Sequence, residues 1–228
     1  MNSILTSKWT KVVVFVLCLL PLADLGLRVL AAASPGALGD WFSNGLSANP
    51  IKFIEHFTGD WTLRFLVITL AVTPLRKILH LPLLIRFRRM FGLFAFFYVS
   101  LHFATWLVLD HWQEWSWASI WADLLKRPFI AIGFAGFLLL IPLAITSTAG
   151  WIRRLGGKRW RMLHRAIYVT AVLGVIHFYW LVKSDKREPL AYGAIFAVLF
   201  LWRIGAWLVE RRAAAARVRK PSVSAESV

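Results

Sequence analysis

A chain of 228 residues that is 59% hydrophobic, with mean hydropathy +0.64 and formal net charge +16, is too apolar for an ordinary soluble domain, which averages about 45–50% apolar residues. Its one cysteine, Cys18, excludes an intrachain disulfide, a cysteine-ligated iron–sulfur cluster and a thiolate zinc site. The positive charge does not indicate nucleic acid, because the basic residues fall in short segments between apolar runs, which is the topology signal of a membrane protein.

A helix that crosses a bilayer needs about 20 mostly apolar residues. Six runs meet that need, at 12–33, 61–79, 90–109, 128–147, 162–182 and 190–209. The expected fold is an all-α membrane protein, a six-helix transmembrane bundle. It divides into a first helix with its following loop (1–59), a core (60–210) and a basic, disordered tail (211–228). The first run resembles a signal peptide in its basic start, apolar stretch and "AAAS" end. Asp24 and Arg28 interrupt that pattern, and a retained span is the better reading. Their i, i+4 spacing suits an ion pair.

The charges are distributed unevenly. If the six runs alternate, eighteen basic residues and two acids fall on one side, among them Arg88, Arg89, Arg153, Arg154, Arg161 and Arg165. The other side carries six basic residues and eight acids. The positive-inside rule then puts both termini in the cytoplasm. Trp112, Trp115, Trp117 and Trp121 fall on the outer side, where amphipathic rings favour the membrane interface.

Six histidines remain to be placed. His56 and His80 fall in loops, and His111 falls at the outer end of the third run, where an interfacial role is expected. His102, His164 and His177 lie in the runs, where an ionisable side chain marks a functional candidate; a hydrogen bond between helices is the plainer alternative. At about 1.5 Å per helical residue, His102 lies about 20 Å beyond Arg89, and His177 about 18–24 Å beyond Arg165 and Arg161. The third and fifth runs are parallel, so these two imidazoles share a depth. Facing imidazoles at one depth suit bis-histidine ligation of a haem between helices. His164 sits at the basic edge beside Arg161, with no histidine opposite it near residues 88–92. It could bind a haem propionate, a flavin phosphate or a quinone headgroup, or ligate a second haem.

Four stretches carry a family likeness: "GDWTLRFLVITLAVTPLR" from Gly59, "RRMFGLFAFFYVSLH" from Arg88, "KRPFIAIGFAG" from Lys126 and "TSTAGWIRRLGGKRWRMLHRAIYVTAVLGVIHFYW" from Thr146. Together they resemble the MsrQ (YedZ) family, haem-binding membrane subunits of the bacterial periplasmic methionine sulfoxide reductase system, in the ferric-reductase-like group. The resemblance implies an inner-membrane protein with one or two b-type haems, an association with FMN, and a periplasmic molybdopterin partner of the MsrP type. It implies electrons from the quinone pool or a cytosolic flavin reductase, and an electron-transfer subunit rather than the catalytic one. The family's haem ligands fall on His102, His164 and His177, and Arg161 joins them as a candidate cofactor contact. "RLGGKRW" lacks the strand-then-helix setting of a dinucleotide fingerprint. A haem-free proton or solute transporter that uses the histidines as a relay is the competing reading. It finds no support in an inverted repeat or in paired broken helices.

Overall fold

The computed structural model describes residues 7–33, 46–112 and 115–218. Every element in them is helical. The expected tail beyond residue 218 lies outside the described residues. The helices are α1 (Lys8–Ala33), α2 (Pro50–Ile78), α3 (Ile85–Ala104), α4 (Trp117–Lys126), α5 (Pro128–Ile145), α6 (Ala149–Leu163), α7 (Ala166–Leu181) and α8 (Arg187–Val218). A short 3-10 turn, Pro82–Leu84, leads into α3, and a π-helical segment, Thr105–Asp110, continues it.

Local sequence sets several boundaries. The Asn49 side chain accepts from the Lys52 amide at 3.1 Å, and Pro50 follows as the first helical residue; a cap and an N1 proline together start α2. Ser116 caps α4 and Thr148 caps α6 in the same way. Gly156, at φ 72°, breaks α6 internally, a left-handed conformation that glycine adopts without a Cβ clash. The segment between the fourth and fifth runs is therefore mostly helix, not loop, and meets α7 at a 41° bend beside His164. The first eight residues of the expected tail, 211–218, continue α8.

Among the described residues, four helices are long and apolar enough to cross a membrane, and the bent pair α6–α7 makes a fifth. The one expected run left over, 61–79, lies in α2, which Asp60, Arg64, Arg76 and Lys77 make too polar to qualify on composition. Its setting explains the polarity. α2 has ten buried residues, among them Thr58, Thr62 and Thr69, and packs most extensively against α3. It faces protein more than lipid. The threonine hydroxyls donate back to carbonyls of their own helix at 2.6–2.9 Å, which satisfies them without water.

Leu66, Leu70, Ala95, Tyr98 and Ala171 form the fully buried centre of the bundle. A buried polar link ties α1 to it. Pro21 sits inside α1, where proline disturbs the helical ladder. One residue on, the Leu22 amide donates to the Tyr98 hydroxyl at 3.2 Å, and that hydroxyl donates to the Cys18 carbonyl at 2.9 Å. The tyrosine bridges a ladder step that the helix would otherwise close alone. Asp24 and Arg28 pair at 2.9 Å, as their spacing predicts.

A histidine pair in a four-helix cavity

Helices α2, α3, α5 and α7 enclose a cavity of about 580 Å³, within the range of pockets that hold cofactors, about 300–1,000 Å³. Its walls are largely apolar, with Leu63, Leu66, Phe103, Phe134, Phe137 and Leu140 among them. Two imidazoles enter it, His102 from α3 and His177 from α7. Their ring centroids are 6.0 Å apart and their planes cross at 82°. The depth match read from the sequence is thus met by the approach of the two rings across the cavity.

Each ring is held by a carbonyl from a third helix. His102 Nδ1 donates to the Glu55 carbonyl on α2 at 2.8 Å, and His177 Nδ1 donates to the Phe129 carbonyl on α5 at 2.7 Å. A carbonyl only accepts, so both Nδ1 atoms carry the proton, and each Nε2 keeps its lone pair. This is how metal-ligating histidines are oriented: one nitrogen fixed by a carbonyl, the other free to bind. Backbone glycine makes the approach possible. A Cβ on Gly133 would lie 2.6 Å from His177 Nδ1, and one on Gly59 would lie 3.3 Å from His102 Nδ1.

This donor set fits one class of metal group. Among the described residues, no three His, Cys, Asp or Glu side chains converge to hold an ion, and two imidazoles fall short of the three or four protein ligands of a zinc site. A planar macrocycle brings its own equatorial nitrogens and needs only two axial ligands. Two polar groups of the lining, Thr170 Oγ1 and Trp106 Nε1, are buried without a hydrogen-bond partner, as expected of a cavity that a bound group completes. Haem therefore fits the residues present.

His164 is placed differently. It lies at the α6–α7 bend, outside the cavity lining. Trp160 stacks on it at 4.0 Å, and its Nε2 lies 3.1 Å from Thr146 Oγ1. That hydroxyl already donates to the Pro142 carbonyl at 2.6 Å, so it accepts from His164 Nε2–H. The ring is tied into a local network that Trp160 Nε1 completes through the Thr146 carbonyl. Arg161 is exposed on α6 and does not line the cavity either.

Of the remaining histidines, His56 and His111 depart from their expected settings and His80 meets its own. His56 lies on α2, not in a loop, and lines the cavity mouth. His80 sits in a turn at φ 53°. His111 is buried, with its ring 5.1 Å from Trp106 and its Nε2 3.9 Å from an Asp123 oxygen. Sequence reading also passed over Gly59, Thr170 and the Glu55 and Phe129 carbonyls. Gly59 and Thr170 lie at cavity-facing positions of their helices, a signal that 3.6-residue periodicity carries. The carbonyls leave no mark in sequence, because every residue has one.

Known proteins resemble this chain closely. The family model described as "Ferric reductase like transmembrane component" matches residues 58–175. The "Protein-methionine-sulfoxide reductase heme-binding subunit MsrQ" of Xanthomonas euvesicatoria is 49% identical over 211 residues, 92% of this chain and 93% of that protein. Proteins of the same name from Herminiimonas arsenicoxydans and Caulobacter vibrioides are 48% and 49% identical, over 89% and 78% of this chain and 87% and 85% of their own lengths. No solved structure matches. The chain belongs to the MsrQ family, within the ferric-reductase-like transmembrane class.

Proposed function

We propose that this chain is the haem-carrying electron conduit of a methionine sulfoxide reductase system in a bacterial inner membrane. The observation that carries the reading is the pinned histidine pair: two imidazoles 6.0 Å apart, each with Nδ1 bound to a carbonyl and, among the described residues, no hydrogen-bond partner at Nε2. A b-type haem supplies there an iron that takes up and gives back one electron without forming a bond to substrate. His102 and His177 would hold it through Nε2, and the two carbonyls fix the ring orientation and raise imidazole basicity. Phe103, Phe134 and Phe137 keep water from the centre, and burial of this kind is one of the protein's means of setting a redox potential.

Electrons enter at the basic end of the bundle, from a quinol or a cytosolic flavin reductase, and leave at the acidic end, to a periplasmic molybdopterin subunit of the MsrP type that reduces methionine sulfoxide. The excess of Lys and Arg at one end supports that orientation. The exposed cations around Arg161 suit an acidic flavoprotein or an FMN phosphate. His164 contributes to this end through the fold of the bend. The reading takes one haem between His102 and His177 as the resident group.

The test is a pyridine haemochrome assay on purified protein, giving the haem-to-protein ratio, beside the visible spectrum. A low-spin b-type spectrum is expected, lost in both His102→Ala and His177→Ala. If both variants keep a full Soret band at unchanged haem content, the assignment is wrong.

A further inference from the structure

Among the described residues, two half-buried arginines toward the basic end of the bundle have no acidic partner. Arg203 lies in α8, 16 residues beyond Arg187 and so about 24 Å along the helix, toward the basic end. Its guanidinium donates to the Leu70 carbonyl of α2 at 2.5 Å and lies 5.5 Å from the Tyr168 ring centroid on α7. Arg88, in α3, reaches the same face of α2, with Nη1 3.5 Å from the Thr73 hydroxyl. Leu70 and Thr73 are three residues apart, less than one helical turn. The two guanidinium groups therefore converge on one turn of α2.

Among the described residues, neither arginine has an acidic oxygen within salt-bridge distance. Glu210, the acid on α8 nearest Arg203 along the chain, is taken by Lys77 at 2.7 Å. Arg203 lies within the run 190–209, where a guanidinium is costly unless paired, and a second guanidinium at Arg88 adds repulsion. Both are half-buried, so part of each stays accessible from the bilayer edge. Trp202 and Trp207 flank the site, each under a cation, Lys77 at 5.6 Å and Arg211 at 4.2 Å. Aromatic rings with cations mark the headgroup level.

We infer that Arg88 and Arg203 form a binding site for the phosphate of an acidic phospholipid, seated between α2, α3 and α8 at the basic end. Phosphate oxygens match guanidinium donors in geometry and charge. A basic cleft between helices at this depth is a setting for an anionic headgroup, and the exposed apolar side chains of α8, Leu201, Ile204 and Leu208, suit its acyl chains. The site is separate from the histidine cavity, which neither arginine lines.

Native mass spectrometry of the full chain in detergent, titrated with phosphatidylglycerol or with phosphatidylcholine, tests the site. The chain is expected to retain phosphatidylglycerol in preference to phosphatidylcholine. Arg88→Gln with Arg203→Gln should cut that retention by about tenfold or more, the order expected for two cationic contacts at an anionic headgroup. Arg88→Lys with Arg203→Lys should restore most of it, and Arg153→Gln with Arg154→Gln should leave it unchanged. The Soret band and a monodisperse elution profile report that each variant is folded. Equal retention of the two lipids, or retention unaffected by the Gln pair, overturns the proposal. Two further outcomes overturn the lipid as the source of the anion: FMN or inorganic phosphate displacing phosphatidylglycerol in the wild-type chain, or a fall in haem-to-protein ratio in the Gln pair. His102→Ala should lose haem and keep the lipid, so this inference and the haem reading fail independently.

Discussion

The His102 and His177 rings stand 6.0 Å apart and nearly perpendicular, and the carbonyls that orient them belong to two other helices. The pair is thus a property of four helices at once. Moving any of the four shifts one ring against the other.

Glycine 133 is the sharpest probe of that arrangement. In Gly133→Ala the new Cβ would stand 2.6 Å from His177 Nδ1, inside van der Waals contact, so either the ring turns away from the Phe129 carbonyl or α5 moves off α7. The expected outcome is loss of most bound haem, read from the Soret absorbance per protein. Gly59→Ala meets His102 at 3.3 Å and should keep the haem with a shifted midpoint potential. The reverse order of severity would show that the glycines do not set ring position.

Removing His164 should spare the haem. Its Nε2 and ring face are engaged by Thr146 and Trp160, and it lies outside the cavity. His164→Ala is expected to keep the haem-to-protein ratio of the parent and to lower thermal stability by about 1–3 kcal/mol, through the lost stacking and a Thr146 oxygen left without its donor. A ratio that falls by half would instead identify His164 as the ligand of a second haem.

Tyr98→Phe isolates the link between α1 and the core. The hydroxyl is buried and carries two bonds, one from Leu22 N and one to Cys18 O. Within membranes such interhelical bonds are worth about 0.6 kcal/mol on average and up to about 1.7. Detergent-unfolding midpoints should show a loss in that range with the haem spectrum unchanged. An altered spectrum would mean that α1 helps to shape the cavity.

Thr170 tests whether the cavity is completed by a bound group. Its hydroxyl is buried, unpartnered and part of the lining. An orphaned hydroxyl costs about 1–3 kcal/mol. Thr170→Val should therefore stabilise the haem-free chain. If the hydroxyl finds its partner in the bound group, the same change should speed haem loss to apomyoglobin. A variant that stabilises both forms equally would show that the hydroxyl has no such partner.

Composition and periodicity determined the class of this protein. Six apolar runs and lopsided basic residues require a helical membrane bundle, because hydrocarbon leaves backbone polar groups no partner outside the helix. Residue counting along two parallel helices was enough to set His102 and His177 at one depth, since rise per residue is fixed. The family likeness was also legible, as runs of residues in order, and the comparisons bear it out. Counting could not show which way a side chain turns, nor what lies beside it. Only the packed helices decided that His164 belongs to the Thr146–Trp160 network, that His111 is buried against Trp106, and that α2 is polar because it sits among other helices. The carbonyls that orient the histidine pair, and the meeting of Arg88 with Arg203 on α2, join positions 47, 48 and 115 residues apart. Contacts of that range are made by folding, and no local pattern in the chain records them.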